Sequence, residues 1–468
     1  MMVGYGQTAW RTMVQQSSST CRVKRWRRRI GMNRERLKST ILFLLVISSA
    51  ILTYMVWSYQ PEFSQVDTSI ESTSNIGQGE SLEFGSVMRA YQLIWVDGNT
   101  VKGTIKEDAV VGVREFLKDT EIENIDIYNN INRLTPDVKE DGDEEFLIVD
   151  YPSEMPSKSL FQVLGFSYEG ALPDYSFDRI IVDIASPKVT FYMLNEALEQ
   201  VAVAETDIDS SYLLSIVEEY EDSFEDYVGI ITNQKTSNNK TAIYGPEAPG
   251  AVSIEHFLMT QIGIDTMNDI LFMGDEIEVN KNDDVYVYEG THNLSTYNPE
   301  TYNFVYTNLD ESLSSNRNPH QTIQRSFDFL NSHGGLEAEH MLFDYEADGN
   351  ESTYRYTLNG YAVFSDEISS VVMTKYGNNA LFEYQRPLLN ISAEVPNDEM
   401  KSLARLEDVR YQIALNEDLD LQKVSKITIG YDMQFSDVQT ELNLLHFTPQ
   451  WYVKYNDEWM RFNEGGLH

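Results

Sequence analysis

Between Lys38 and Glu62 the chain runs 23 residues without a charged side chain, as "STILFLLVISSAILTYMVWSYQP". At about 1.5 Å per residue, such a helix is long enough to cross a hydrocarbon layer of about 30 Å. Nothing else in the sequence constrains the fold as strongly, because the residues on either side would fold on opposite faces of a membrane. The most apolar part, 41–57, passes into Tyr54, Trp57 and Tyr59, which suit a membrane–water interface. Pro61 then removes a backbone donor and ends the helix. A cleaved leader would have a shorter apolar run followed by small residues. A lipoprotein reading fails because the single cysteine, Cys21, precedes the run. The expectation is a retained transmembrane helix over 39–60.

Charge sets the orientation. Of 35 Lys and Arg residues, ten lie in 1–40 beside one acidic residue, Glu35. The remaining 25 face 73 acidic side chains, a net charge near −48 for 41–468. A basic flank stays in the cytoplasm, so the long acidic part is expected outside the cell membrane, on a single-pass protein. The basic tail over 1–38 has two readings. Met32 opens the compact "MNRERLKST", which favours 1–31 as an over-extended gene start; the alternative is a real tail whose "RVKRWRRR" meets anionic lipid. Acidity on this scale excludes nucleic acid as a partner of the exported part. Its stability must come from ordinary cores, since no cysteine follows Cys21. Hydrophobic content of 42% and aromatic content of 12% mark a folded chain despite the charge.

Polar residues over 61–82 read as a linker. A chain of this remaining length calls for several domains, expected at 83–230, 231–315 and 316–468. Strands are expected at "VMRAYQLIWV", "EEFLIVDYP", "FDRIIVDI" and "KVTFYMLN", with amphipathic helices at "EDAVVGVREFLKD" and "SSYLLSIVEEYEDSF". "EALEQVAVAET" fits either element. After the Gly- and Pro-punctuated break at 231–250, "SIEHFLMTQI" and "DTMNDILF" read as helices, then "DVYVYEG" and "YNFVYTN" as strands. "QTIQRSFDFLNSHGG" reads as a helix closed by Gly334 and Gly335. A ladder of strands from "HMLFDY" to "LFEYQRPLL" follows, then a helix at "DEMKSLARL" and strands to the end. Segregated helices and antiparallel strands give an α+β class.

Sites for chemistry are few. "HGGLEAEH" gathers His333, Glu337 and His340, but across Gly-Gly and without HExxH spacing, so a helix end and polar turn outweigh a metal site. "DYEADGNE" begins like a calcium loop at Asp344, Glu346, Asp348 and Gly349, yet its twelfth position is Arg355, where a bidentate Glu is needed; a hairpin turn is the stronger reading. No nucleophile elbow or phosphate loop is present. The reading is therefore no catalytic residue, no cofactor and no metal. The alternative is a wall-polymer-binding protein, with Trp451, Tyr452 and Trp459 as sugar platforms, or a wall-active hydrolase.

"MNRERLKSTILFLLVISSAILTYMVWSYQP" resembles the start of the YycH (WalH) family of low-GC Gram-positive bacteria. "DILFMGDEIEV…DDVYVYEGTHNLSTYNPETYNFVYTN", "LNGYAVFS" with "YQRPLL", and "FTPQWYVKYNDEWMRF" extend the resemblance over the chain from Met32. It departs at "EGTH", where the family pattern leads one to expect a basic residue in place of His292. The resemblance implies a non-catalytic regulator with a three-domain extracytoplasmic part. It also implies two partners: a YycI (WalI)-type single-span protein and the YycG (WalK)-type sensor histidine kinase of a two-component system controlling cell-wall metabolism.

For such a regulator the span is itself a candidate contact. Ser49 and Thr53 lie i, i+4 apart as a small-xxx-small pair, a face suited to packing on another membrane helix. The competing reading is that both hydroxyls bond back to their own helix.

Overall fold

The computed structural model describes residues 38–39, 42, 44–49, 81–129, 145–195, 198–232, 241–313, 318–436, 444–463 and 466–467. The chain divides into two compact units, 1–71 and 72–468. In the first unit the described residues are helical. Leu42, Leu44, Leu45 and Val46 are exposed, and Ser48 Oγ donates to the Leu45 carbonyl at 3.0 Å. Among the described residues no helix is long and apolar enough to cross a membrane. Most of the expected span, Thr53 included, lies outside the described residues.

The second unit opens with a nine-stranded antiparallel sheet. Its strands are β1 (Gln92–Asp97), β2 (Thr100–Thr104), β3 (Ile122–Tyr128), β4 (Glu145–Pro156), β5 (Ser176–Asp183), β6 (Lys188–Asn195), β7 (Gln200–Asp209), β8 (Glu225–Ile230) and β9 (Ile243–Pro246). They lie in the order β3-β7-β6-β5-β4-β1-β2-β8-β9. β4 is buried on both faces for most of its length, which is why its first half holds the apolar run Phe146–Val149 without alternation. The helices Glu107–Leu117, Ser157–Leu164 and Ser210–Glu219 each turn an apolar stripe inward, through Val110, Val113 and Leu117 in the first of them. At Gly165, φ is 61° and a Cβ would stand 2.7 Å from Asp119 Oδ1, so glycine is the residue that ends the second helix there.

The rest of the chain adds β10 (Ala251–Ser253), β11 (Glu255–Gln261), β12 (Glu278–Asn282), β13 (Val285–Glu289), β14 (Asn293–Asn298), β15 (Asn303–Asn308), β16 (His340–Glu346) and β17 (Glu351–Leu358). After them come β18 (Tyr361–Phe364), β19 (Val371–Tyr376), β20 (Leu381–Pro387), β21 (Leu389–Glu394), β22 (Met400–Ser402), β23 (Val424–Phe435), β24 (Leu444–Tyr455), β25 (Glu458–Asn463) and β26 (Gly466–Leu467). β10 pairs with β22, and the other strands join one fifteen-stranded sheet. Within it β15 pairs with β20, so strands from 278–308 and from 340–387 share one hydrogen-bonded surface. The pair β18–β23 is parallel, and every other pairing in both sheets is antiparallel. The whole is mostly sheet with some helices, an α+β fold.

Two expected helices are strands. Residues 255–261 hold good helix formers, but both edges of this segment are taken, by β24 on one side and β21 on the other. Phe257 and Met259 reach one apolar cluster across a bulge, and long-range pairing overrides local propensity. Met400–Ser402 is likewise a strand, and the helix expected there starts later, at Leu406–Leu415. Its signals were Glu407 and Asp408 in the first turn and the buried spacing Leu406, Val409, Ile413. Helix Pro319–Ser332 is as expected. Asn318 Oδ1 caps its start, Gly334 is left-handed at its end, and the Gly335 N–H closes back on Leu330 O.

One core joins the two sheets. Leu93 and Val182 belong to the same buried cluster as Phe327, Tyr354 and Tyr384. Leu82 and Phe84 are fixed by that later helix: Asn331 accepts from Leu82 N–H at 2.9 Å and donates to Leu82 O at 3.1 Å, while Phe84 meets Phe327 edge-on.

Candidate functional site

Strand register builds a charged row through the first sheet. Gln92 on β1, Asp150 on β4 and Arg179 on β5 are direct cross-strand partners, so their side chains emerge side by side. Arg179 Nε and Nη2 donate to the two Asp150 oxygens at 2.5 and 2.9 Å, a bidentate pair, and Gln92 Nε2 donates to Oδ2 at 2.9 Å. Arg179 Nη1 donates to Ala242 O at 2.9 Å. Arg179 and Asp150 are both buried, so the geometry has to offset a large desolvation cost.

The neighbouring residue, Asp178, points away from this row to meet the second sheet. Lys426 on β23 donates to its Oδ2 at 2.8 Å. Burial alone would push the Asp178 carboxyl up and the Lys426 amine down. The attraction between them outweighs both, holding Asp178 below and Lys426 above their ordinary values. Lys454 on β24 stands 3.4 Å from Asp344 on β16, which also accepts from Ser153 Oγ of β4 at 2.8 Å. Arg89 completes the seam, donating to Glu107 on its own side and to Ala338 O, Glu339 O and Thr357 Oγ1 across it. These contacts lock two sheets and carry no reactive geometry.

A second polar concentration lies in the later sheet, where the ends of β16, β17 and β20, with residues of β18, β19, β21 and β23, line a partly open cavity of about 40 Å³. Glu337, His340, Tyr356, Ser369 and Arg386 line it. His340 Nδ1 accepts from the Glu337 N–H at 3.0 Å, which leaves the ring proton on Nε2. Burial, with Arg386 and Arg89 nearby, pulls this imidazole down to about 3. Burial and Glu339 raise the Glu337 carboxyl, against the pull of Arg386.

The residues singled out in the sequence scatter. His333 ends a helix, its ring on Phe329 and its Nδ1 2.7 Å from Phe329 O, apart from the bonding of His340. Among the described residues no three metal-ligating side chains come together. Asp344, Glu346 and Asp348 belong to the hairpin β16–β17. Trp451 and Tyr452 are core residues: Trp451 Nε1 donates to Ala404 O, and Tyr452 stacks on Phe364 at 3.8 Å. Neither offers a face to a sugar. His292 lies 2.9 Å from Asp310, just before β14 and just after its partner β15. Ser49 is in the helical 44–49, and Thr53 lies outside the described residues. The seam and the cavity were not foreseen. Their only sequence signal is a charge inside an apolar run, as in "FLIVDYP", "FDRIIVD" and "LFEYQRPLL".

Two family models match consecutive parts of the chain: the YycH protein N-terminal domain over 35–224 and the YycH protein C-terminal domain over 240–464. The chain belongs to the YycH family. A curated relative, the two-component system WalR/WalK regulatory protein YycH of Bacillus subtilis, is 20% identical over an alignment of 456 residues that covers 91% of this chain and 95% of that protein. The crystal structure of YycH from Bacillus subtilis superposes with a TM-score of 0.65 at 12% identity, covering 83% of this chain and 99% of that one. At this identity the superposition shows the fold. The YycH family is one of regulatory proteins and not of enzymes.

Proposed function

We propose that this chain is a single-pass membrane protein that modulates a sensor histidine kinase of the YycG (WalK) type, acting with a YycI (WalI)-type partner through helix contacts in the membrane and domain contacts outside it. The observation that carries the reading is the end-to-end match to a WalR/WalK regulatory protein, with both family domains in order. The 23-residue uncharged run and its basic flank supply the anchor and the orientation, N-terminus inside and acidic bulk outside. The divisions at 230/231 and 315/316 remain part of this proposal.

In a bilayer, helices associate through close packing and side-chain hydrogen bonds, about 0.6–2 kcal/mol per polar contact. A tenfold change in kinase output needs a differential of only about 1.4 kcal/mol between its two states. The face of Ser49 and Thr53 is proposed to supply it. Affinity purification of the full-length protein from its host's membranes should recover a sensor histidine kinase and a second single-span protein; recovery of neither, in detergents that keep other membrane complexes whole, overturns the reading. Replacing Ser49 and Thr53 by Leu should weaken that recovery and shift kinase output, and unchanged values would remove this face from the mechanism.

A further inference from the structure

Arg386 is 5% exposed, yet among the described residues no carboxylate comes within ion-pair distance of its guanidinium. Its hydrogen bonds go to neutral oxygens: Pro387 O at 3.2 Å, Gly334 O at 3.1 Å and, weakly, Tyr384 Oη at 3.5 Å. A guanidinium cannot shed its proton to relieve the cost of burial, so an uncompensated one is a demand for negative charge. The cavity it borders has an apolar half, with Val363, Val372 and Leu389 among its residues, and a polar half in which donors outnumber acceptors. Ser369 Oγ is buried with no hydrogen-bond partner. His340, with Nδ1 committed to the Glu337 amide, carries its proton on Nε2. Tyr356, also in the lining, sets its ring edge-on to His340 at 5.6 Å. Glu337 is the lone carboxylate of that lining, and it forms no ion pair with Arg386. At about 40 Å³ the space exceeds the minimum for one water and suits an ion of two or three heavy atoms at most.

We infer that this cavity, between the ends of β16, β17 and β20, binds a small monovalent anion on Arg386, Ser369 and His340, with chloride and formate-sized carboxylates as the ligand class. Glu337 is its competitor: an anion entering beside an ionised Glu337 meets a like charge, and one entering beside a neutral group does not.

The test uses full-length protein in detergent, with chloride or formate replacing methanesulfonate, an anion too large for the space, at constant ionic strength. Thermal unfolding midpoints should rise saturably with the small anion, and carbon-13 formate should broaden on binding. Arg386→Gln should abolish both responses and Ser369→Ala should weaken binding several-fold. Glu337→Gln should tighten it about tenfold. That opposite sign separates the site from a general salt effect, and it remains readable if Arg386→Gln fails to fold. A response to chloride without one to formate places a halide there, and the reverse places a carboxylate. Indifference to both anions, or equal responses in wild type and Glu337→Gln, overturns the proposal.

Discussion

Arg179 and Arg386 are buried to almost the same degree, at 6% and 5% exposure, and the fold treats them in opposite ways. Around Arg179, the adjacent strand brings the Asp150 carboxylate, which Gln92 of the next strand also holds, and the Ala242 backbone carbonyl takes a further bond from the guanidinium. Around Arg386 the strands bring neutral oxygens and a space. The first charge is consumed by structure, whereas the second is left over. A saturated network specifies packing, and an unsaturated one specifies something that packing does not supply.

Removing one member of each region should break that contrast if it is wrong. Asp150→Asn strands Arg179 without its counter-charge and should cost about 3–5 kcal/mol in chemical unfolding followed by tryptophan fluorescence. Arg386→Met keeps the volume and removes the surplus charge. In buffer without small anions it should be neutral or gain about 1–4 kcal/mol, and a loss as large as that of Asp150→Asn would erase the distinction.

A smaller effect, legible as a slope, concerns His340. Its folded value near 3 lies below the ordinary 6.5, so between these values the unfolded chain binds a proton that the folded chain refuses. Stability therefore falls as pH drops through that window. Glu337, raised in the fold, works with the opposite sign, gaining stability on acidification. His340→Gln should flatten the acid slope of stability against pH, and an unchanged slope would place the titration elsewhere. The smallest effect is expected at the linker end, where Asn331→Ala removes the bonds to Leu82 and should cost about 1–2 kcal/mol, with amide exchange at 82–87 rising first.

Legibility in the sequence followed the range of the interactions. Helix Pro319–Ser332 could be read because its glycine stop is local, and its cap at Asn318 starts it two residues before the expected Gln321. The hairpin of β16 and β17 could be read because Arg355 spoils the calcium pattern and the flanks alternate. Residues 255–261 could not, because what makes them a strand is two partners more than 120 residues downstream. The same holds for the polar centres. "FLIVDYP" shows an acid in an apolar run, but that Asp150 faces Arg179 follows from register alone. No local pattern around Arg386 discloses that its cavity brings Glu337 and His340 to it.

The grip of Asn331 on Leu82 spans 249 residues, and Arg89 reaches across a similar interval to Glu339 and Thr357. A chain made from its N-terminus can build the nine-stranded sheet early, since its strands are near neighbours in sequence. It cannot secure that sheet's leading edge until the helix Pro319–Ser332 has been delivered. For most of the interval in between, Phe84 lacks the ring it finally packs against, Phe327, and a chaperone or protease would find it there. A polypeptide stopped short of residue 332 would thus hold a nearly complete sheet with its first segment loose. The closing of this segment waits on a helix that ends about seven-tenths of the way along the chain.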